Sequence, residues 1–308
     1  MTTIISLDGG LGRIITAIPA LLKYYQNHQD EEWYIMIPGW DFIAWGFSEL
    51  QERTFDPDAR GSFDLYWKAS QIISPEPYRL PAYYRNEISL REAFDICINN
   101  STDHRDLTQM QLKLSLPEKR RAYEIIEEAK FKQQKKKSIV IQPYGSTATP
   151  HPTGVYDDSL RSMPKNMLDY FIKELSKDYN LIYMGAQEMH DPRMYRPELG
   201  HNLREWAAII EVADYFIGCD SCGQHMRKCF NKKAYDGFHI IERDVPFYPD
   251  AMRISGFQSH MASRLNEPRI EFTQEEIETA YQEIIKNIEG ERKKEIKESK
   301  EIKGVSYE

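Results

Sequence analysis

The sequence predicts an α/β protein made of two doubly wound units, and three observations predict it. Short β-branched apolar runs alternate with helix-periodic segments in both halves of the chain. In each half an apolar run leads through a turn of small and polar residues into a helical pattern, at Asp8-Gly9-Gly10 and again at Gly218-Cys219-Asp220-Ser221. A charged helical stretch, residues 117–137, separates the two sets.

Residues 2–7 form a short β-branched run that suits a buried parallel strand, and Asp8-Gly9-Gly10-Leu11-Gly12-Arg13 follows as a tight turn. Ile14, Ile15, Ile18, Leu21, Leu22 and Tyr25 then recur at helical spacing to about Asn27. Pro19 within this pattern predicts a kink or a late helix start. Residues 33–37 read as a second strand, stopped by Pro38-Gly39. Residues 40–116 are rich in Trp, Phe, Tyr, Pro and Arg with few clean periods. Trp40, Phe42, Trp45 and Phe47 there read either as core or as a partly exposed aromatic surface.

The second half opens with a strand at 138–141 and a long loop, 142–164, carrying Gly145-Ser146-Thr147, His151, Gly154 and Arg161. Long loops inside compact domains are commonly functional. Pro164 starts a helix, 181–184 is a strand ending at Gly185, and Asn202 caps a helix through Val212. Tyr215, Phe216 and Ile217 form the strand that delivers the chain to the second turn, and a helix is expected from Thr273 to about Asn287. The alternating charges of 289–303 read as a solvated helix or frayed tail. The expected division is therefore an N-terminal domain at 1–137, a second domain at 138–270 and a C-terminal helix and tail at 271–308.

At 308 residues the chain is long enough for two ordinary domains, and 41% hydrophobic residues support a real core. The net charge of -8 argues against a protein whose main task is coating nucleic acid, while leaving room for a local basic groove. No stretch reaches the run of about 18 apolar residues that a membrane helix needs. Residues 1–7 lack the basic start and longer apolar segment of a signal peptide. Four cysteines make no disulfide framework in a chain this size, so the expected setting is a reducing cytoplasm without stable membrane association.

The chemistry concentrates in the two turns. Gly10-Leu11-Gly12-Arg13-Ile14-Ile15 fails as a dinucleotide fingerprint at its third glycine, and no Lys-Ser/Thr pair follows to make an NTPase phosphate loop. A plain turn remains one reading. The other uses the position: ligands of open α/β sheets bind at the carboxyl ends of strands, where Asp8 and Arg13 sit. The second turn opens a helix, whose free N–H groups favour an anion. Cys219 and Cys222 resemble a small redox pair, and Cys219, Cys222, His225 and Cys229 offer zinc-type ligands. These four crowd one turn and one helix instead of forming separated pairs, so they read as packing residues, and no metal is expected. Basic clusters at Lys119-Arg120-Arg121, Lys135-Lys136-Lys137 and Arg227-Lys228 with Lys232-Lys233 read as solvated faces or phosphate contacts.

Three segments together resemble glycosyltransferases of the two-domain GT-B type, and in particular the heptosyltransferase family. They are Gly10-Leu11-Gly12-Arg13 through Pro19-Ala20-Leu21, Gln142-Pro143-Tyr144-Gly145-Ser146 through Arg161-Ser162-Met163-Pro164, and Gly218-Cys219-Asp220-Ser221-Cys222-Gly223-Gln224-His225. The last is similar to the family's Gly-x-Asp-Thr/Ser-Gly-x-x-His motif, with Cys222 where a glycine is usual. Met184-Gly185-Ala186 resembles the strand end that contacts base or ribose. The resemblance implies two Rossmann-like domains facing a central cleft and a nucleotide-sugar substrate with no other cofactor. It implies donor contacts from Gly145, Ser146, Thr147, Arg161, Gly185, Asp220, Ser221, Cys222, Gly223 and His225.

The family's catalytic Asp follows the turn glycine, where this chain has Arg13, so Asp8 at the same strand end is the expected base, with Arg13 neutralising the leaving diphosphate. A lone base suits inversion. Gly10, Gly12, Trp40, Trp45, Arg79 and Arg85 are the expected acceptor contacts. The chain also resembles phage DNA glycosyl- and arabinosyltransferases in its aromatic content, short length and lysine-rich helices. That likeness favours a UDP-sugar, UDP-arabinose among the options, and 5-hydroxymethylcytosine in double-stranded DNA inside a bacterial host. The alternatives are transfer to a lipopolysaccharide or oligosaccharide acceptor and a non-catalytic nucleotide-sugar-binding module.

Overall fold

Two parallel four-stranded sheets organise the chain in the computed structural model. It describes residues 2–304 apart from 86, 146–147, 152–153, 158–161, 189, 200–201, 220 and 231–272. The first sheet has the order β3-β2-β1-β4, from β1 (Thr2–Ser6), β2 (Glu32–Met36), β3 (Thr54–Phe55) and β4 (Gln71–Ile73), all paired in parallel. The second has the order β10-β5-β8-β9, from β5 (Lys137–Gln142), β8 (Tyr179–Tyr183), β9 (Met194–Tyr195) and β10 (Tyr215–Gly218), again parallel throughout. Parallel strands need crossover connections, and the expected α/β architecture with two such sheets follows.

Helix α1 (Leu11–Asn27) connects β1 to β2. It begins at Leu11 directly after the turn and runs through Pro19, which is buried in the core, so the late start expected from that proline does not occur. Three short helices, α2 (Ser48–Gln51), α3 (Ser62–Lys68) and α4 (Pro81–Tyr84), lie in the aromatic-rich segment together with β3 and β4. Strands of two and three residues carry too little alternation to be recognised in a sequence. Helices α5 (Leu90–Asn99) and α6 (Leu116–Gln133) each open with a full capping box, Ser89 with Glu92 and Ser115 with Glu118.

In the second half, α7 (Lys165–Leu175), α8 (Leu203–Val212) and α9 (Cys222–Cys229) fall where the periodicity puts them. The long loop after β5 contains a small antiparallel pair, β6 (Thr149–His151) with β7 (Gly154–Tyr156). The last helix, α10 (Gln274–Gly304), is continuous across the stretch expected to fray, and Thr273 opens it with a reciprocal bond to Glu276.

The period of two in the second sheet sorts its side chains into two cores. Ile139, Ile141, Leu181, Tyr183, Tyr215 and Ile217 face α7 and the Ile277, Ala280, Ile284, Ile288 stripe of α10. Val140, Ile182 and Phe216 face the other way, into a core shared with α6, α8, α9, α1 and the first sheet. Helix α6, although it precedes β5, packs along α8. The two sheets are thus joined by one continuous apolar layer.

A buried polar cluster ties α1 to α5 and to the segment beyond it. Lys23 Nζ lies 3.0 Å from Asp95 Oδ2, 2.9 Å from Ser101 Oγ, 3.0 Å from the Asp103 carbonyl and 2.8 Å from Asp106 Oδ1. His104 Nδ1 is 2.7 Å from Asp95 Oδ2, and Asn99 donates to Asp95 Oδ1 at 2.8 Å. Burial of Asp95 works against its ionisation, yet the bonds from His104, Lys23 and Asn99 outweigh it and hold the carboxyl below its ordinary value. A carboxyl lowered in the folded state contributes stability above its unfolded pKa of about 3.9 and loses it as pH falls through the folded value. Asp95→Asn is therefore expected to cost about 1.5–3 kcal/mol at neutral pH, by urea denaturation, with the gap to the parent narrowing below about pH 4. A gap of the same size at both pH values would show that the charge contributes nothing.

Candidate active site

Because every strand in each sheet points the same way, the loops after the strands collect on one edge of that sheet. At the first edge, the indole Nε1 of Trp40, beyond β2, donates to the Gly9 carbonyl beyond β1 at 3.1 Å. Arg13, in the first turn of α1, donates from NH2 to the Pro75 carbonyl beyond β4 at 2.5 Å. The same nitrogen is 3.2 Å from Asp8 Oδ1 and 3.9 Å from Glu76 Oε2. The guanidinium carbon lies 5.6 Å from the Tyr78 ring centroid and 5.9 Å from that of Phe94. One arginine thus binds two strand ends together, those of β1 and β4.

Exposure divides the roles of the two expected catalytic residues. The Arg13 side chain is 13% exposed and that of Asp8 is 68% exposed. Arg13 is turned into the protein, and its described contacts hold the turn. Asp8 is held by that arginine through one oxygen and presented to solvent. Gly10 is exposed at the N-cap of α1.

The helices that follow the two turns meet directly. His225 on α9 is 9% exposed, and its Nδ1 is 3.2 Å from Thr16 Oγ1 on α1. Thr16 Oγ1 in turn lies 2.8 Å from the Gly12 carbonyl. The imidazole lies so close to Gly12 that a Cβ there would come within 2.4 Å of His225 Cδ2. Glycine at this position is what lets α1 and α9 touch. The expected donor contact His225 and the expected acceptor contact Gly12 are therefore packed against each other, joining the two units next to Asp8 and Arg13.

At the second edge the strand ends are also tied together, by residues the sequence reading passed over. Gln142, the last residue of β5, accepts from the Gly223 N–H of α9 at 3.1 Å, and its backbone carbonyl accepts from Cys219 N–H at 2.9 Å. Ser162 Oγ donates to the buried Asp157 carboxylate at 2.5 Å and accepts from Gly145 N–H at 3.0 Å. The amides of Gly145 and Gly223, both expected to meet donor phosphate, are thus engaged within the protein. Gln142 and Ser162 stood inside the quoted segments, and a polar residue closing an apolar strand was the available signal for Gln142. Nothing local marks Asp157.

Ser221 is the N-cap of α9 and makes no capping bond through its side chain. Burial raises the Cys222 and Cys229 thiols above their ordinary values, which suits packing residues more than thiolate chemistry. Arg227, read from the sequence as part of a solvated face or as a phosphate contact, is 4% exposed and closes the end of α8, donating to the carbonyls of Ile210, Ala213 and Asp214 at 2.6, 2.9 and 2.6 Å. The expected donor contacts Ser146, Thr147, Arg161 and Asp220 lie outside the described residues, as do Lys232 and Lys233.

The remaining acceptor-side residues separate. Trp45 is 51% exposed, whereas Phe47 is buried and Trp40 and Phe42 pack on the core margin. Arg79 is exposed. Arg85 is engaged by Glu87 in a two-pronged pair, at 2.5 Å from Nε and 2.9 Å from NH2. On α6, Lys119 pairs with Glu211, and Arg120 and Arg121 both reach Glu124, so this basic cluster is locally balanced by acids. Arg204 on α8, which no motif marked, is 6% exposed and joins α8, α6 and the segment carrying Trp45. Among the described residues no helix is long and apolar enough to cross a membrane.

No protein-family model and no curated protein sequence matches the chain. Solved structures do. The iron-containing dodecameric glycosyltransferase TibC from enterotoxigenic E. coli is similar at a TM-score of 0.58 and 13% identity, over 94% of this chain and 78% of that one. A family 9 glycosyl transferase from Veillonella parvula is similar at a TM-score of 0.55 and 10% identity, over 93% of this chain and 97% of that one. The E. coli ADP-heptose lps heptosyltransferase II is similar at 0.53 and 11% identity, over 94% of this chain and all 100% of that one. The fold is accordingly that of the GT-B glycosyltransferases, as the sequence resemblance implied. None of these likenesses supports the DNA acceptor or the phage setting expected from the sequence.

Proposed function

We propose that the protein is a nucleotide-sugar-dependent glycosyltransferase acting on a saccharide acceptor of the lipopolysaccharide-core type. The observation that carries this reading is the direct contact of α1 with α9, the helices that follow the two strand-end turns, with Asp8 exposed and held by Arg13 at the start of α1, in a chain whose fold is that of heptosyltransferases. An ADP-sugar is the favoured donor over the UDP-sugar expected from the sequence, because one neighbouring TibC structure contains ADP-D-beta-D-heptose and a neighbouring heptosyltransferase contains ADP.

Asp8 takes the proton of the acceptor hydroxyl while that oxygen attacks the anomeric carbon. The bond from that carbon to the diphosphate oxygen breaks, and the nucleoside diphosphate leaves with the electron pair. A single base acting on the incoming hydroxyl favours inversion. Arg13 keeps the Asp8 carboxylate in place, a positioning role in exchange for the phosphate role expected from the sequence.

The test is nucleoside diphosphate release from ADP-, UDP- and GDP-sugars, with a lipopolysaccharide-core oligosaccharide, hydroxymethylated DNA or no acceptor. Release from an ADP-sugar that depends on the oligosaccharide is expected. Transfer only to hydroxymethylated DNA would replace the acceptor assignment. Binding of nucleotide sugars with neither transfer nor hydrolysis would instead identify a binding module.

A further inference from the structure

At the C-terminal edge of the second sheet one buried polar group is left over. Tyr183, the last residue of β8, is 0% exposed, and its hydroxyl has no hydrogen-bond partner among the described residues. Buried hydroxyls almost always find a partner, so an orphan at a strand end calls for an explanation. The groups around this one come from neighbouring strand ends. Tyr144 follows β5, Cys219 follows β10 and Arg196 follows β9, and all three act on the Tyr183 phenol. Gly185 lies directly over it: a Cβ at that position would come within 2.5 Å of the Tyr183 hydroxyl oxygen.

Arg196 stands over the ring. Its side chain is exposed, and its guanidinium carbon stands 6.0 Å from the Tyr183 ring centroid. It makes no ion pair among the described residues, so it can rotate away from the ring without breaking one. A planar guanidinium stacks as readily on a nucleobase as on a phenol ring. Burial raises the Tyr183 pKa well above its ordinary value, so the phenol stays protonated and able to donate throughout the physiological range.

We infer that Tyr183 is a specificity-determining contact for the nucleoside of the donor, its hydroxyl donating to the base or ribose with Arg196 stacking above. This rests on the nucleotide-sugar reading of the same edge and adds to it a residue that no motif marked. The hydroxyl sits at the meeting point of strand ends where a nucleotide is received in sheets of this kind. Its want of a partner is accounted for if the nucleoside supplies one.

Tyr183→Phe removes only the orphan oxygen, which gives the test its sharpness. Parent and variant are titrated with ADP and with UDP by calorimetry, and their thermal melting is compared. The parent is expected to bind at least one of the two. The variant is expected to bind that nucleotide about five- to tenfold more weakly, as the loss of one hydrogen bond implies, while melting at the same temperature or higher. Arg196→Ala is expected to weaken the same nucleotide with melting unchanged. Unchanged affinity in Tyr183→Phe with a parent that binds would overturn the inference and leave the glycosyltransferase reading standing. A fall in melting temperature would assign the hydroxyl a structural partner and also overturn it. A parent that binds neither nucleotide would remove the reading on which the inference rests.

Discussion

Arg204→Met is expected to remove about 3–5 kcal/mol of folding stability, the typical loss when one member of a buried ion pair is deleted and the other stays charged. Arg204 Nε lies 2.6 Å from Glu118 Oε1 and NH2 lies 3.0 Å from Oε2, a fork matched to both carboxylate oxygens. The same guanidinium donates to the Lys113 carbonyl at 2.7 Å and to those of Phe42 and Trp45 at 3.3 and 3.4 Å. Methionine keeps the apolar volume and loses every one of these bonds. Glu118, whose side chain is 19% exposed, would keep only its bonds from Ser115. Burial opposes the Glu118 charge, and the bonds from Arg204 and Ser115 outweigh it, so its carboxyl lies below the ordinary value. The loss is therefore present at neutral pH and shrinks in acid as Glu118 protonates. Urea denaturation of Arg204→Met and of Arg204→Met with Glu118→Gln separates the contributions: the double variant is expected to be more stable than the single one. A loss below about 1 kcal/mol in the single variant would mean that the cluster behaves as a surface pair. Since Arg204 also holds the backbone around Trp45, weaker acceptor binding should accompany the loss.

Asp8→Asn is expected to lower turnover by about 10²- to 10⁴-fold, the usual worth of a general base. The substitution preserves shape, and Arg13 keeps its bond to the Pro75 carbonyl, so the turn should survive. Nucleotide affinity, measured separately, should stay at the parent level, because Asp8 sits at the edge of the first sheet and the nucleotide is assigned to the edge of the second. Near-parent turnover would remove Asp8 from the chemistry and leave the proton to another group. Loss of nucleotide affinity together with turnover would point to a collapsed turn instead.

The elements readable in advance were those with enough residues to show a period. Helix α1, helices α7 and α8, and strands β5, β8 and β10 have ten or more residues or lie between clear turn signals, and they appear where expected to within a few residues. The segment from Trp40 to Leu116 was opaque because its strands have two and three residues and α2 and α4 only four each, too few for a period to repeat. Helix α5 was the exception that could have been found, since Ser89-Leu90-Arg91-Glu92 is a capping box in plain sequence. The late start that Pro19 suggested does not occur because the loss of one backbone donor is tolerable inside a helix whose flanks are buried on both sides.

Residue chemistry at the strand ends was legible for a general reason: a chain alternating apolar strands and amphipathic helices must put its small and polar turn residues at those ends. That is how Asp8, Arg13, Ser221 and His225 came to be named, and the class of fold with them. Their partners were settled by folding alone. His225 and Gly12 are more than two hundred positions apart, and only the packing of α9 on α1 makes one the neighbour of the other. Arg227 read as a solvated or phosphate-facing residue, and the end of α8 takes its described bonds, while Arg13 is found bonded to Pro75 and Asp8. Tyr183 looked like one more aromatic in an apolar strand, and its orphan hydroxyl exists only once three other strand ends close around it. A sequence records which groups a chain can offer. Which of them remain on offer depends on what each one meets across the fold, because a hydrogen bond or an ion pair is made over distances that sequence separation does not measure.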